Sequence, residues 1–255
     1  MDALSPFLRE TWYCDTSDPR VRRLAAELRG RDDRATAVAA FRHVRDGIRY
    51  RVGNWQQTAS QTLVMGDGTC TNSANLLVAL LRAQGIPAGY GVMRVRGREY
   101  FGPLAPARLA RLAGEVSRHV YACVLLDGTW VRCDPSDDLA LSLGTVHLNP
   151  QSRPVDWDGE RDAMLHLHPD HVLEDEAPVA DIAGLMAKRM RRTIGVPVRI
   201  ANLYMDFLRR HGAGMRSSEE AQEHFLPWLR ERHPGLHLVY RSLPERAPQT
   251  EPALG

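Results

Sequence analysis

The chain has 255 residues, of which 44% are hydrophobic and 25% charged, and its formal net charge is +2. That balance belongs to a folded globular protein. It excludes a disordered chain and a strongly basic nucleic-acid binder, and no run approaches the ~18 apolar residues of a membrane span. Four cysteines cannot build a disulfide scaffold, and the opening MDALSPFLRE has no apolar leader, so a cytoplasmic protein is expected.

Residues 1–18 read as extended or irregular. Asp18 followed by Pro19 is a helix start, and Val21, Leu24, Ala25 and Leu28 fall on one face before Gly30 ends the run. A second helix over 33–46 puts Ala37, Ala40, Phe41 and Val44 at helical spacing. Ile48 to Arg51 is a short strand-like exit, and 53–69 is a loop or a turn of helix. From Ala74 to Leu81 the chain is almost wholly apolar, the pattern of a buried central helix, and Gly85 and Pro87 stop it. Tyr90 to Val95 is a strand. Residues 102–117 read as loop with some helix. His119 to Leu126 and Thr129 to Cys133 form a hairpin around Asp127-Gly128. From 149 to 175 the chain is polar, Pro-rich and acidic, which predicts a surface loop. Helices are expected over 182–192, 197–210 and 219–232, then a last strand over 236–240.

Cys70 stands at the head of the buried helix, after Gly66-Asp67-Gly68-Thr69. The unused N–H groups and positive end of a helix stabilise a thiolate, and they can donate to the oxyanion formed when it attacks a carbonyl. Such a nucleophile needs a base and a group that orients the base. The hairpin supplies both. With Asp127-Gly128 as the turn, Leu126 pairs with Thr129, Leu125 with Trp130, Cys123 with Arg132 and Tyr121 with Asp134. His119 and Asp134 then share one sheet face as diagonal neighbours. A slip of one residue would destroy the arrangement.

GDGTC at the head of a buried helix, followed by LLVALLRAQGIPAGY, a strand histidine and a strand ending WVRCDP, resembles the transglutaminase-like superfamily of Cys-His-Asp enzymes. VRDGIRY and ASQTL upstream look like that family too, so the resemblance spans about residues 19–138. It implies an α+β, papain-like core in which the nucleophile helix packs on an antiparallel sheet. It assigns Cys70 as nucleophile, His119 as base and Asp134 as the orienting acid. Relatives often carry an aromatic residue two positions after the histidine, and Tyr121 stands there. Trp55, Gln56, Gln57, Thr71, Tyr121 and Trp157 complete the candidates for substrate or oxyanion contacts; Trp157 is read as a cover for the cleft or as a turn residue.

Cys123 and Cys133 fall on opposite faces of the hairpin, which argues against a mutual disulfide, and Cys14 has no evident partner. His166, His168, Asp170 and His171 cluster, but Pro169 interrupts ligand geometry and no cysteine accompanies them. No metal or cofactor is expected. Lys188 is the only lysine among 33 basic residues. Genome composition accounts for such an arginine bias, and so does selection for anionic partners. The run 188–192 and the alternating Arg94, Arg96 and Arg98 are candidate basic patches.

The expected organisation is a catalytic core over 1–150, a loop region and helical extension packing on it over 151–243, and a disordered tail over 244–255. The expected chemistry is acyl transfer through a Cys70 thioester, with amide formation on a small molecule in a biosynthetic pathway as the first reading. The partners are then a small-molecule or peptide acyl donor and an amine acceptor, with an acidic acyl carrier protein as one form of the donor and neither nucleic acid nor membrane. A cysteine peptidase or amidase of the same superfamily is the alternative, and a non-catalytic interaction module the second.

Overall fold

A computed structural model describes residues 3–101, 105–110, 114–149, 153–188 and 195–243. The tail read as disordered and most of the basic run 188–192 lie outside them. Two helices open the chain, α1 (Pro19–Glu27) and α2 (Asp33–Gly47). Asp18 caps the first through the Arg20 N–H, and Asp32 caps the second through the Ala35 N–H. β1 (Arg49–Tyr50) pairs in parallel with β2 (Asp67–Gly68), and α3 (Ala59–Met65) lies between them. The expected turn of helix in this stretch is thus α3, closed at its C-terminus by Gly66.

α4 (Cys70–Arg82) follows, and all thirteen of its residues are buried. The reason lies in its neighbours. Val21 and Ala25 of α1 and Ala40, Phe41 and Val44 of α2 cover it on one side, and one face of the sheet covers it on the other. Each fully buried leucine of the LLVALL run contributes about 1.5–3 kcal/mol. Arg82 ends the helix inside the protein. Its guanidinium donates to the carbonyls of Ala88 (2.9 Å), Arg9 (2.7 Å) and Ala180 (2.6 Å), which ties three distant segments to one point.

The sheet has the order β5-β4-β3-β6 and is antiparallel throughout. β3 spans Ala88–Arg96, β4 Val116–Leu126, β5 Thr129–Cys133 and β6 Val172–Val179. The short helices α5 (Gly97–Phe101) and α6 (Ala107–Ala110) connect β3 to β4. The hairpin has the expected register, Leu126 with Thr129, Leu125 with Trp130 and Cys123 with Arg132. Asp127 and Gly128 both take positive φ, the backbone of a tight hairpin turn. Side chains alternate across the sheet. Val120, Ala122, Val124 and Cys133 join the core around α4, whereas Tyr121 and Cys123 join a smaller cluster with Met93, Val95 and Val172 on the other face. The two strand cysteines therefore stand on opposite faces, and all four cysteines are free.

Three expectations need correction. The acidic segment read as surface loop over 149–175 ends inside β6, the fourth strand of the sheet. It is an edge strand whose side chains are mostly exposed, so Glu174, Asp175 and Glu176 leave no apolar alternation to read, and its backbone pairing to β3 is what makes it a strand. The expected last strand is a helix, α11 (Pro234–Ser242). Pro234 starts it, and Leu236, Tyr240 and Leu243 meet one apolar cluster at helical spacing. The helix expected over 182–192 is short within the described residues, α8 (Ala183–Ala187).

α7 (Leu139–Thr145) leads out of β5. α9 (Val196–His211) and α10 (Ser218–Arg232) form a second apolar cluster with α11, built on Ile200, Tyr204, Phe207, Phe225 and Leu229. Among the described residues no helix is long and apolar enough to cross a membrane.

Candidate active site

The head of α4 and the open edge of β4 bring the site together. Cys70 is the first residue of α4, after the N-cap Thr69. Asn72 fixes that helix start, because its side-chain oxygen accepts from both the Thr69 N–H and the Thr69 hydroxyl at 2.8 Å. β5 pairs with β4 only as far as Ala122 opposite Cys133, so His119 lies beyond the end of that ladder. Asp134 is the next residue after β5.

His119 Nε2 lies 2.5 Å from Asp134 Oδ2, and both side chains are shut off from solvent. The other carboxylate oxygen accepts from the Ser136 N–H at 3.1 Å and the Ser136 hydroxyl at 2.5 Å. The Asp134 N–H donates to the Ala163 carbonyl. The carboxylate is therefore held on three sides before any substrate arrives. Cys70 hydrogen-bonds to the same imidazole. A thiol, an imidazole and a carboxylate in this order are the parts of cysteine-dependent catalysis.

The charge state of His119 follows from competing effects. Burial opposes a charged imidazole and is the largest single influence. Attraction to the Asp134 carboxylate and to a Cys70 thiolate, with hydrogen bonds donated to both partners, overcomes it. The net result holds the His119 pKa well above its ordinary value. An imidazolium at neutral pH, facing a thiol at the positive end of a buried helix, favours the thiolate.

The remaining candidates separate. Thr71 is buried with its hydroxyl 4.0 Å from Cys70 Sγ. The 55–57 loop lies against the start of α4: the Trp55 carbonyl accepts from Asn72 Nδ2 at 3.5 Å, and a Cβ on Gly68 would stand 3.3 Å from the Gln57 amide oxygen. Gln57 is buried and its amide meets Thr62 and Met65. Gln56 donates to the Met186 carbonyl at 2.9 Å, fastening the loop to α8. Tyr121 lies flat over Gly91, and its hydroxyl donates to Asp175 at 2.6 Å. Its ring centroid is 6.5 Å from that of His119. Trp157 does not cover a cleft. It is fully buried edge-on against Phe41, and its indole N–H donates to the Arg161 carbonyl.

Two arginines of the expected basic face are ion-paired. Arg94 pairs with Glu174, Arg98 with Glu115, and Arg96 donates to the Asp170 carbonyl. Among the described residues no group of three or more histidines, cysteines or carboxylates is placed to hold a metal ion.

Sequence reasoning missed Ser136 and Asp137. Asp137 is half-buried between Asp134 and Asp138. Burial and those two negative charges push its carboxyl up to about 7, against the pull of His119 and Arg209. The signal was present as the run Asp134-Pro135-Ser136-Asp137-Asp138, three carboxylates within five residues.

Residues 22–135 match the family model of the transglutaminase-like superfamily. Among solved structures, a candidate cysteine protease from Cytophaga hutchinsonii aligns at 23% identity with a TM-score of 0.41, over 53% of this chain and 43% of that one. A candidate protease from Parabacteroides distasonis aligns at 15% identity with a TM-score of 0.33, over 51% and 24%. The chain thus spans less than half the length of either. No curated protein matches. The segment that matches the transglutaminase-like family model is the one that carries Cys70, His119 and Asp134.

Proposed function

We propose that this chain transfers an acyl group through a Cys70 thioester, forming an amide on a small molecule. The observation that carries the reading is the buried series Cys70–His119–Asp134 at the head of α4. The Cys70 thiolate attacks an ester, thioester or amide carbonyl, and the tetrahedral oxyanion draws on N–H donors of the helix end. As the intermediate collapses, the His119 imidazolium gives its Nδ1 proton to the leaving group, and the acyl group remains on sulfur. An amine then attacks the thioester while His119 takes the amine's proton. The thiolate departs and the amide leaves. Asp134 holds Nε2 throughout.

Enclosure supports a small acyl donor over an extended peptide. Cys70 is only 4% exposed and His119 1%. A site that excludes bulk water also protects a thioester from hydrolysis, which favours an amine acceptor. A carrier protein with an acidic face is one way to deliver such a donor. The ion pairs of Arg94 and Arg98 within the chain leave it less support than the sequence alone did.

The test is the pH dependence of Cys70 alkylation, located by peptide mass spectrometry, in wild type and His119→Ala. An ordinary thiol titrates at about 8.5. Rapid labelling of the wild type at pH 6, lost in the variant, is expected. Ordinary thiol behaviour in both proteins would refute the reading. Acyl thioesters offered with and without an amine then separate transfer from hydrolysis, the amidase alternative.

A further inference from the structure

The segment that carries Asp134 is an arch pinned at both ends, and its far end is pinned by a helix outside the matched family segment. Asp138 lies four residues beyond Asp134. Its Oδ2 accepts from Arg209 Nη2 at 2.6 Å and from the Tyr50 N–H at 2.8 Å. Its Oδ1 accepts from the Leu141 N–H at 2.9 Å, capping α7, and Arg209 Nε lies 3.1 Å from both oxygens. Arg209 belongs to α9, 71 residues away in sequence. Its Nη2 also donates to the Tyr50 carbonyl at 2.7 Å, and its Nη1 to Asp206 at 2.9 Å. The pair is almost wholly buried, at 7% and 3% exposure.

The geometry of the arch transmits this hold. Pro135 fixes one φ angle. Ser136, one residue on, gives both its N–H and its hydroxyl to Asp134 Oδ1. The position of Ser136 is set by the β5 end on one side and by Asp138 on the other. Charge points the same way. Asp134, Asp137 and Asp138 crowd one arch, and the Arg209 guanidinium is the cation that compensates Asp138 beside them. Without it a buried carboxylate would be left unpaired, a strongly unfavourable state that the arch relieves by moving.

We propose that Arg209 is a positioning residue for the catalytic group: by clamping Asp138 it fixes the arch that aims Asp134 at His119, so the helical extension is part of the catalytic unit. This rests on the reading of Cys70 as a nucleophile activated by His119. The charged groups facing His119 are Asp134, Cys70 and Asp137, and those facing Asp138 are Arg209 and Asp137. Lysine cannot replace the fork, because one ammonium cannot hold both Asp138 oxygens and the Tyr50 carbonyl together.

The experiment measures the pH midpoint of Cys70 alkylation and the thermal unfolding midpoint of the full chain. It compares wild type, Arg209→Met, Arg209→Lys, His119→Ala and Asn202→Ala. Asn202 docks the same helix on the same loop, through the Val52 N–H (3.0 Å) and carbonyl (2.9 Å), without touching Asp138. Arg209→Met is expected to raise the alkylation midpoint by about one pH unit, Arg209→Lys by less, and Asn202→Ala not at all while still lowering thermal stability. Folded Arg209 variants with the wild-type midpoint would overturn the proposal. So would an equal rise in Asn202→Ala, which would reduce Arg209 to a docking contact. If Arg209→Met does not fold, Arg209→Lys decides by the same criterion. If wild type and His119→Ala label alike, the nucleophile reading itself fails and takes this proposal with it. If they differ while the Arg209 variants match wild type, only the positioning role fails.

Discussion

Replacing Asp137 by asparagine isolates one carboxyl and predicts how stability varies with pH. In the folded chain burial, Asp134 and Asp138 raise the Asp137 carboxyl from 3.8 to about 7. The unfolded chain releases this proton near 3.8 and the folded chain keeps it to about 7. Between those values the folded state binds more protons, so stability falls as pH rises and levels off above about 7. Three units at 1.36 kcal/mol each give a ceiling of about 4 kcal/mol. The group is half-buried, so screening brings the expected effect to about 2 kcal/mol. Asp137→Asn has no proton to lose. Relative to wild type it should gain almost nothing at pH 4, part of the effect at pH 5.5, and about 2 kcal/mol or more at pH 7.5. Urea unfolding at those three pH values reads this directly. Parallel pH curves for the two proteins, or a gain that shrinks as pH rises, would refute the placement of Asp137 among its carboxylate neighbours.

Two further expectations concern the frame around the site. In Gly91→Ala the new methyl would stand 1.9 Å from the Tyr121 ring, which cannot stay flat over β3. Displacing the ring breaks its bond to Asp175 and overpacks the sheet, at about 1–3 kcal/mol in urea unfolding, and near-ultraviolet circular dichroism should report the moved tyrosine. An unchanged spectrum and stability would contradict the packing. Asn75→Ala leaves the buried Tyr13 carbonyl and Tyr90 hydroxyl without the amide that bridges them. The Tyr13 carbonyl keeps the Ala59 N–H, so the expected loss is about 1–3 kcal/mol, and Asn75→Ala in a Tyr90→Phe background should cost less because the Tyr90 hydroxyl is then absent.

The hairpin was legible because three local signals agree there. The Asp127-Gly128 turn sets register, period-two alternation sets the faces, and the two together place His119 beside Asp134. The helix of Cys70 was legible for a similar reason, since a run apolar on all sides must be buried and its polar head must lie at an end. What escaped is non-local. β6 exists because β3 has an unpaired edge, and its Glu174–Glu176 run carries no trace of that. α11 was misread because Leu, Val and Tyr suit a strand, while the cluster that captures Leu236 and Tyr240 at helical spacing is built from α9 and α10. From the sequence Trp157 reads as a cleft cover or a turn residue; Phe41, more than a hundred residues earlier, holds it in the core instead. Arg209 was one arginine among many until the fold set it on Asp138.

The distribution of charge within the arch connects stability to the proposed chemistry. His119 carries a raised folded pKa, so the stability from its charged form is fully present below about 6.5 and is lost as pH rises through the folded value. Asp137, held protonated to about 7, also withdraws stability as pH rises, between about 4 and 7. Both slopes favour the acid side of neutrality. The reactive state needs His119 protonated, Asp134 ionised and Cys70 deprotonated, which the helix end and the imidazolium support on that same side. A neutral Asp137 spares Asp134 a second bare carboxylate close by, and Arg209 cancels Asp138. Of the three carboxylates in the arch, Asp134 is the one in contact with the imidazole. Fold and charged triad therefore share one pH window, and the cation that completes the balance comes from the C-terminal helices.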